Sequence, residues 1–168
     1  MGRQNDVLLD YFDDNERFAD LCNATLFDGL QVIDPAKLED ASERYTQRGR
    51  SSRGDITYSS RCRDVKKRLK DGGTIRIMAV EAQDKVDYSM PLRCMNYDVQ
   101  EYLKQLKRLQ TANDRKNVYT NAAERFCRLQ KSDRLVLVYT ICLYHGMEEW
   151  DGPLSLRDMM DFGEGPEA

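Results

Sequence analysis

The stretch RCRDVKKRLKDGGTIRIMAVEAQDKVDYSMPLR, from Arg61 to Arg93, reads as two strands joined by a tight turn and followed by a helix. Asp71-Gly72-Gly73 is a strong turn signal between two strand-like runs, about Ser60 to Leu69 and Thr74 to Ala82. The second run is apolar on both faces in its later half, as expected of a central strand. Asp64 lies in the first strand, and Glu81 and Gln83 lie near the end of the second. Side chains alternate along a strand, so Glu81 and Gln83 share a face, and a hairpin can bring Asp64 beside them. Two carboxylates and a polar group at one sheet edge suit a hard divalent cation such as Mg²⁺, with the Ala82 carbonyl as a further oxygen ligand. From spacing alone the favoured reading is two ordinary edge acids neutralised by Arg63, Lys66 or Arg76.

On either side of this stretch the pattern alternates helix and strand. Asn15 to Phe27 has helical spacing through Phe18, Leu21, Cys22 and Leu26, and Asp28-Gly29 ends it. Asp34-Pro35 predicts an N-cap with Pro at the first helical position, leading a short helix through Leu38 and Ala41. Gln47 to Asp55 is polar and glycine-bearing and predicts a mobile basic loop over residues 47–55. A helix is expected from about Pro91 to Leu109, burying Leu92, Met95, Val99, Leu103 and Leu106. Gln110 to Lys131 predicts a loop at Asn113-Asp114 and a helix over Ala122 to Leu129. Leu135 to Tyr144 is the most apolar strand, followed by a loop at Gly152-Pro153, a short helix over Leu156 to Met160 and a disordered tail over residues 163–168. The expectation is an α/β fold with a mixed sheet, one domain over residues 1–162.

The 168 residues, 40% apolar and 33% charged, suit one domain with a sizeable core. No apolar run approaches the ~20 residues that span a bilayer, and the acidic N-terminus has no signal-like core. A cytoplasmic protein without membrane association is therefore expected. Five scattered cysteines, with no CxxC pair, argue for reduced and mostly buried thiols rather than disulfides or a zinc ribbon. The net charge of −3 hides an asymmetry: 11 Lys/Arg against 3 Asp/Glu from Arg44 to Arg76, and 7 acids against one Arg from Met147 to Ala168. The basic section suits a polyanion, or equally a solvated surface. The acidic end could cover that basic face as a DNA mimic. His145, the sole histidine, has no serine or cysteine motif beside it and reads as structural. The lack of a phosphate-cradling glycine loop argues against an NTPase.

RFADLCN (Arg17 to Asn23), RCRDV (Arg61 to Val65), AVEAQ (Ala79 to Gln83), DYSMPLRCMNYD (Asp87 to Asp98) and the block from Leu135 to Phe162, with Tyr144-His145-Gly146, Trp150 and Pro153 in order, together resemble the Rpn/YhgA-like recombination-promoting, transposase-related nucleases of the PD-(D/E)XK superfamily. The resemblance implies a restriction-endonuclease-like mixed β-sheet flanked by helices. It also implies a metal-dependent DNA endonuclease using Mg²⁺, with Mn²⁺ as a substitute. Asp64 and Glu81 would then be the metal-binding acids, and Gln83 would stand where the superfamily pattern has Lys. Lys can stabilise a hydroxide by charge whereas Gln can only hydrogen-bond, so this departure puts full activity in question. Asp20, with Glu16 four residues before it, is a candidate additional acid. Arg61, Arg63, Lys66 and Arg93 are candidate phosphate contacts, with Lys67, Arg68, Arg50 and Arg53 behind them. Arg93 could instead lock Glu81. The alternative is a catalytically weak or inactive descendant that binds nucleic acid or a protein partner, and homodimerisation is left open. Convergence of Asp64 and Glu81 would favour the enzyme. A closed salt bridge from either acid to Arg63 or Arg93 would favour the binder.

Overall fold

In the computed structural model the backbone is described for residues 3–41, 45–50, 56–61, 65–71 and 74–163, and side chains for 7–8, 10–41, 65–70 and 76–163. The central sheet has four strands in the order β1-β4-β5-β6: β1 (Leu38–Asp40), β4 (Val65–Asp71), β5 (Thr74–Gln83) and β6 (Leu137–Tyr144). β4 pairs antiparallel with both β1 and β5, and β6 runs parallel to β5, so the sheet is mixed. The parallel step is made by a long crossover through α3 (Met90–Lys116) and α4 (Ala122–Cys127), as parallel neighbours require. β2 (Tyr45–Arg50) and β3 (Ile56–Arg61) form a separate two-stranded sheet. Two helices, α1 (Arg3–Asp13) and α2 (Asn15–Leu26), precede the strands.

The two faces of the sheet differ in chemistry. Directly paired residues share a face. Val65 pairs with Val80 and Leu69 faces Leu38, and this side carries Met78 and Ile141 as well. α2 packs here through Phe18, Ala19 and Cys22, all 1% exposed or less. Asn23, also buried, ties the next segment down. Its Oδ1 accepts from the backbone N of Val32 and Ile33 at 3.1 and 2.8 Å, and its Nδ2 donates to the Ile33 carbonyl at 3.2 Å. The RFADLCN motif is thus the apolar half of the core together with its clamp. Asp14 caps α2, accepting from the N of Glu16 and Arg17. Lys67, 3% exposed, sends its Nζ to the last carbonyl region of α1, donating to Asp13 O at 2.6 Å.

The opposite face carries Lys66, Ala79, Glu81, Thr140 and Cys142, and α3 covers it with polar side chains. Lys66 Nζ donates to Glu101 Oε2 at 2.6 Å, with both residues nearly inaccessible. Thr140 Oγ1 donates to Asp98 at 2.7 Å, and Gln105 exchanges two hydrogen bonds with the backbone of Val136. This overturns the buried stripe expected for α3. Leu92, Met95, Val99 and Leu103 are 46, 40, 43 and 53% exposed. A sheet face bearing Lys66 and Glu81 needs polar partners, since a buried charge without one costs far more than half-exposing a Leu.

Other expectations also shift. Leu38 to Asp40 is strand rather than helix, because only Pro35–Lys37 coils, as a 3-10 turn capped by Asp34, before Leu38 enters the β4 ladder. Of the strand expected from Ser60 to Leu69, Ser60 and Arg61 belong to β3 and Val65 onward to β4, and residues 62–64 lie outside the described residues. Gln47 to Arg50, placed in a loop, form β2 against β3, while residues 51–55 and the tail beyond 163 lie outside the described residues. α3 runs through Asn113-Asp114 instead of breaking there. Asn113 is buried and donates to Asp133 and to the Arg128 carbonyl, which anchors the helix end. β6 is an edge strand with only Ile141 buried, and of the four described cysteines only Cys22 is buried.

Removing Glu101 tests the polar layer. Glu101→Ala is expected to destabilise the protein by about 3–5 kcal/mol, whereas the double change Lys66→Met with Glu101→Leu recovers most of that loss. Urea denaturation of the three proteins measures both.

Candidate functional site

β5 delivers Glu81 and Gln83 to the C-terminal end of the central strand, on the polar face. Glu81 is 4% exposed, and α3 brings Arg93 over it from the first turn of the helix. Arg93 Nη2 donates to Glu81 Oε1 at 2.9 Å, and Nη1 donates to Asp87 Oδ2 at 2.7 Å and to Gln83 Oε1 at 3.4 Å. Gln83 Nε2 turns the other way and donates to the Lys85 carbonyl at 2.7 Å. One guanidinium therefore gathers two carboxylates and an amide.

The electrostatics follow from this geometry. Burial works against the charge of Arg93, but hydrogen bonds to Asp87 and Tyr97 and the charge of Glu81 outweigh it, so its pKa is raised. The Asp87 carboxyl is held below its usual range, first by the Ser89 hydroxyl and then by Arg93. Cys142, the partner of Glu81 in the β5–β6 ladder, is exposed as a residue, but partial desolvation of its sulfur and then the Glu81 charge push its thiol up to about 11.

Beside this constellation lies a cavity of about 490 Å³. Its walls are the start of α3 (Met90, Pro91, Cys94), the β6 face (Thr140, Cys142, Tyr144) and the returning segment with Trp150 and Pro153. Tyr144 and Trp150 meet edge to face at 5.1 Å. Tyr88 donates to Asp151 at 3.1 Å and pins that segment across the helix start. Gly146 is required here, since any Cβ would lie 2.6 Å from the Asp84 carbonyl and within the Tyr144 phenol. His145 continues the ladder through its backbone N, which donates to the Gln83 carbonyl at 3.0 Å. The block from Tyr144 to Pro153 thus forms a wall of the site.

The expected site residues separate. Glu81, Gln83 and Arg93 are brought together. Asp64 and Arg63 lie outside the described residues, and of Arg61 only the backbone, in β3, is described. The last described pair before Asp64 is Val65 with Val80, the sequence neighbours of Asp64 and Glu81. Asp20 is exposed on α2, whose buried side packs on the other face of the sheet from Glu81. Lys66, expected at a phosphate, is 3% exposed and given over to Glu101. Lys67 is equally buried, so much of the basic run in β4 serves the fold. Asp87 was not singled out from the sequence, although its position six residues before Arg93, at a helix start, was the available signal.

For a Mg²⁺ ion the described donors fit in kind but not in number. Glu81 and Gln83 offer oxygen ligands, yet both already accept from Arg93. No group of three or more His, Cys, Asp or Glu side chains converges to hold a metal among the described residues. The set implied by the sequence rests on Asp64.

The raised Cys142 pKa sets its reactivity. Below pH 9 the thiol stays protonated, and the thiolate is the nucleophile. Cys142 is expected to alkylate with iodoacetamide at pH 8 on the order of 100-fold more slowly than an unperturbed thiol of pKa about 8.5, and to accelerate as pH approaches 11. Peptide mapping of labelled protein over a pH series reads this, and rapid labelling at pH 8 would contradict it.

Among the described residues no helix is long and apolar enough to cross a membrane. Comparison of the chain with protein-family models, with curated proteins and with solved structures found no match, so its functional reading rests on its own residues and their geometry.

Proposed function

We propose that this protein is a nuclease of restriction-endonuclease-like fold that hydrolyses DNA phosphodiesters in a metal-dependent reaction centred on Glu81. The observation that carries this reading is Glu81 itself, an acid at 4% exposure held with Gln83 at the end of the central strand of a mixed sheet flanked by helices. A buried carboxylate with its cation adds little stability over apolar residues of the same volume, so its placement calls for a role beyond packing. Arg93 keeps 28% of its side chain exposed, so the pair borders solvent.

On this reading Asp64 and Glu81 would hold Mg²⁺, which would supply charge neutralisation at the phosphate and a lowered water pKa. Gln83 would hydrogen-bond the attacking water through its amide. Arg93 fixes the Glu81 carboxylate, and its exposed side offers a cation to the phosphate. Asp87 holds Arg93 from the far side and so sets how much of that cation is available.

A second reading is favoured by one observation, the closed 2.9 Å contact between Arg93 and Glu81. It is the arrangement expected of a weak or inactive descendant that binds DNA or a protein partner with the same surface. The internal use of Lys66 and Lys67 removes two cations from any phosphate-binding face, which within this reading favours a protein partner over DNA.

Incubation with supercoiled plasmid in Mg²⁺, Mn²⁺ or chelator separates the two. Metal-dependent nicking is expected in the wild type and is expected to vanish in Glu81→Ala and in Asp64→Ala. Full nicking by either variant overturns the nuclease reading. Absence of cleavage by the wild type, with salt-sensitive DNA binding retained, establishes the second reading.

A further inference from the structure

The apolar stripe that α3 turns outward has an order of its own. Leu92, Met95, Val99, Leu103 and Leu106 fall within one narrow face of the 27-residue helix. They stand seven and four residues before Val99 and four and seven after it, so the pattern reads the same in both directions. The first four are 40 to 53% exposed, and Leu106 is partly buried. The stripe extends about 21 Å at 1.5 Å per residue. The residues that would flank a partner along its middle, Asn96, Gln100 and Tyr102, are uncharged.

We infer that this face binds a second copy of the chain, with two α3 helices crossing antiparallel about a two-fold axis at Val99. A palindromic seam is what such a pair requires, because Leu92 then meets Leu106 of the other copy, Met95 meets Leu103 and Val99 meets itself. The charges agree with this direction. The start of α3 is surrounded by exposed acids: Asp84, Asp151 bonded to Tyr88, and Glu148 close enough to act on that phenol. The second half of the helix carries Lys104, Lys107, Arg108 and Arg115. There the Lys104 pKa is lowered, by burial and then by repulsion from Arg108. Of these cations Lys107 lies within about a quarter turn of the seam, and antiparallel pairing sets it level with the acid-flanked start of the other helix. A parallel pair would set like charge against like. A seam from one helix per copy is narrow compared with the roughly 1,200 Å² of a stable interface, so the dimer is expected to be weak and to depend on concentration. This inference stands whether or not the protein cleaves DNA.

Sedimentation equilibrium of the full chain from about 1 to 200 µM tests it. The wild type is expected to pass from monomer to dimer mass across that range, with the midpoint moving to higher concentration as salt is raised. Val99→Asp is expected to remain monomeric throughout and to keep the wild-type thermal unfolding curve. Leu103→Gln, a milder change at an exposed position, is expected to shift the midpoint at least 10-fold and covers the case in which the Asp variant misfolds. Ala112→Gln, off the seam, is expected to dimerise normally. A wild type that stays monomeric to the highest concentration overturns the proposal and assigns the face to another occupant. A dimer that persists in Val99→Asp and Leu103→Gln overturns it as well.

Discussion

A charge on one layer answered by a charge on the next is the constraint on which this molecule depends. Lys66 and Glu81 both project from the sheet into the space under α3, and neither can stay there without a counter-charge. Glu101 answers the first at 2.6 Å and Arg93 the second at 2.9 Å. These two contacts, eight residues apart on one helix, set its rotation about its own axis. Once the rotation is set, the polar stripe of α3 faces inward and its apolar stripe has nowhere to go but out. The first turn of the helix is thereby held over the end of β5, which gives Glu81 its burial and opens the cavity beside Cys142 and Tyr144.

Because α3 is docked by directional contacts, the other face of the sheet carries the apolar core. Phe18, Cys22, Ile33, Leu69, Met78 and Val80 are all at or below 1% exposure on that side. The division has a chemical logic. The apolar layer tolerates small changes of position, because dispersion and burial are nondirectional. The polar layer does not, because hydrogen bonds and ion pairs lose strength steeply with angle and distance. A site that must place a carboxylate accurately belongs on the second kind of face.

The elements that the sequence made legible are those whose signals are local. Asp34-Pro35 marks a helical start, Asp71-Gly72-Gly73 joins two strands that pair from Asp71 with Thr74, and the period-two pattern of β5 puts Glu81 and Gln83 on one side. The reversal of α3 was not legible, because hydrophobic periodicity assumes that the apolar stripe faces the core. What decided the matter was a pair of charges 35 residues apart, Lys66 and Glu101. The same gap explains Lys66 and Lys67 as phosphate contacts. A run of cations reads as a surface until the acids and carbonyls that receive them, on α1 and α3, are placed. The contact of Arg93 with Glu81 was one of two outcomes left open by its place at the start of the helix after that strand, the other being a phosphate contact. The acid at Asp87 was missed because nothing in its own neighbourhood distinguishes it from a helix-capping residue.

The single tryptophan of the chain, Trp150, forms part of the wall of the cavity beside Glu81, edge to face with Tyr144 and donating its indole N–H to the Gly152 carbonyl at 3.0 Å. All indole fluorescence from this protein therefore originates at one place. Its emission wavelength and quenching report the wetness and occupancy of that cavity directly. The molecule thus carries a built-in optical probe at the wall of its candidate site, with no second tryptophan to dilute the signal and no label to disturb the packing.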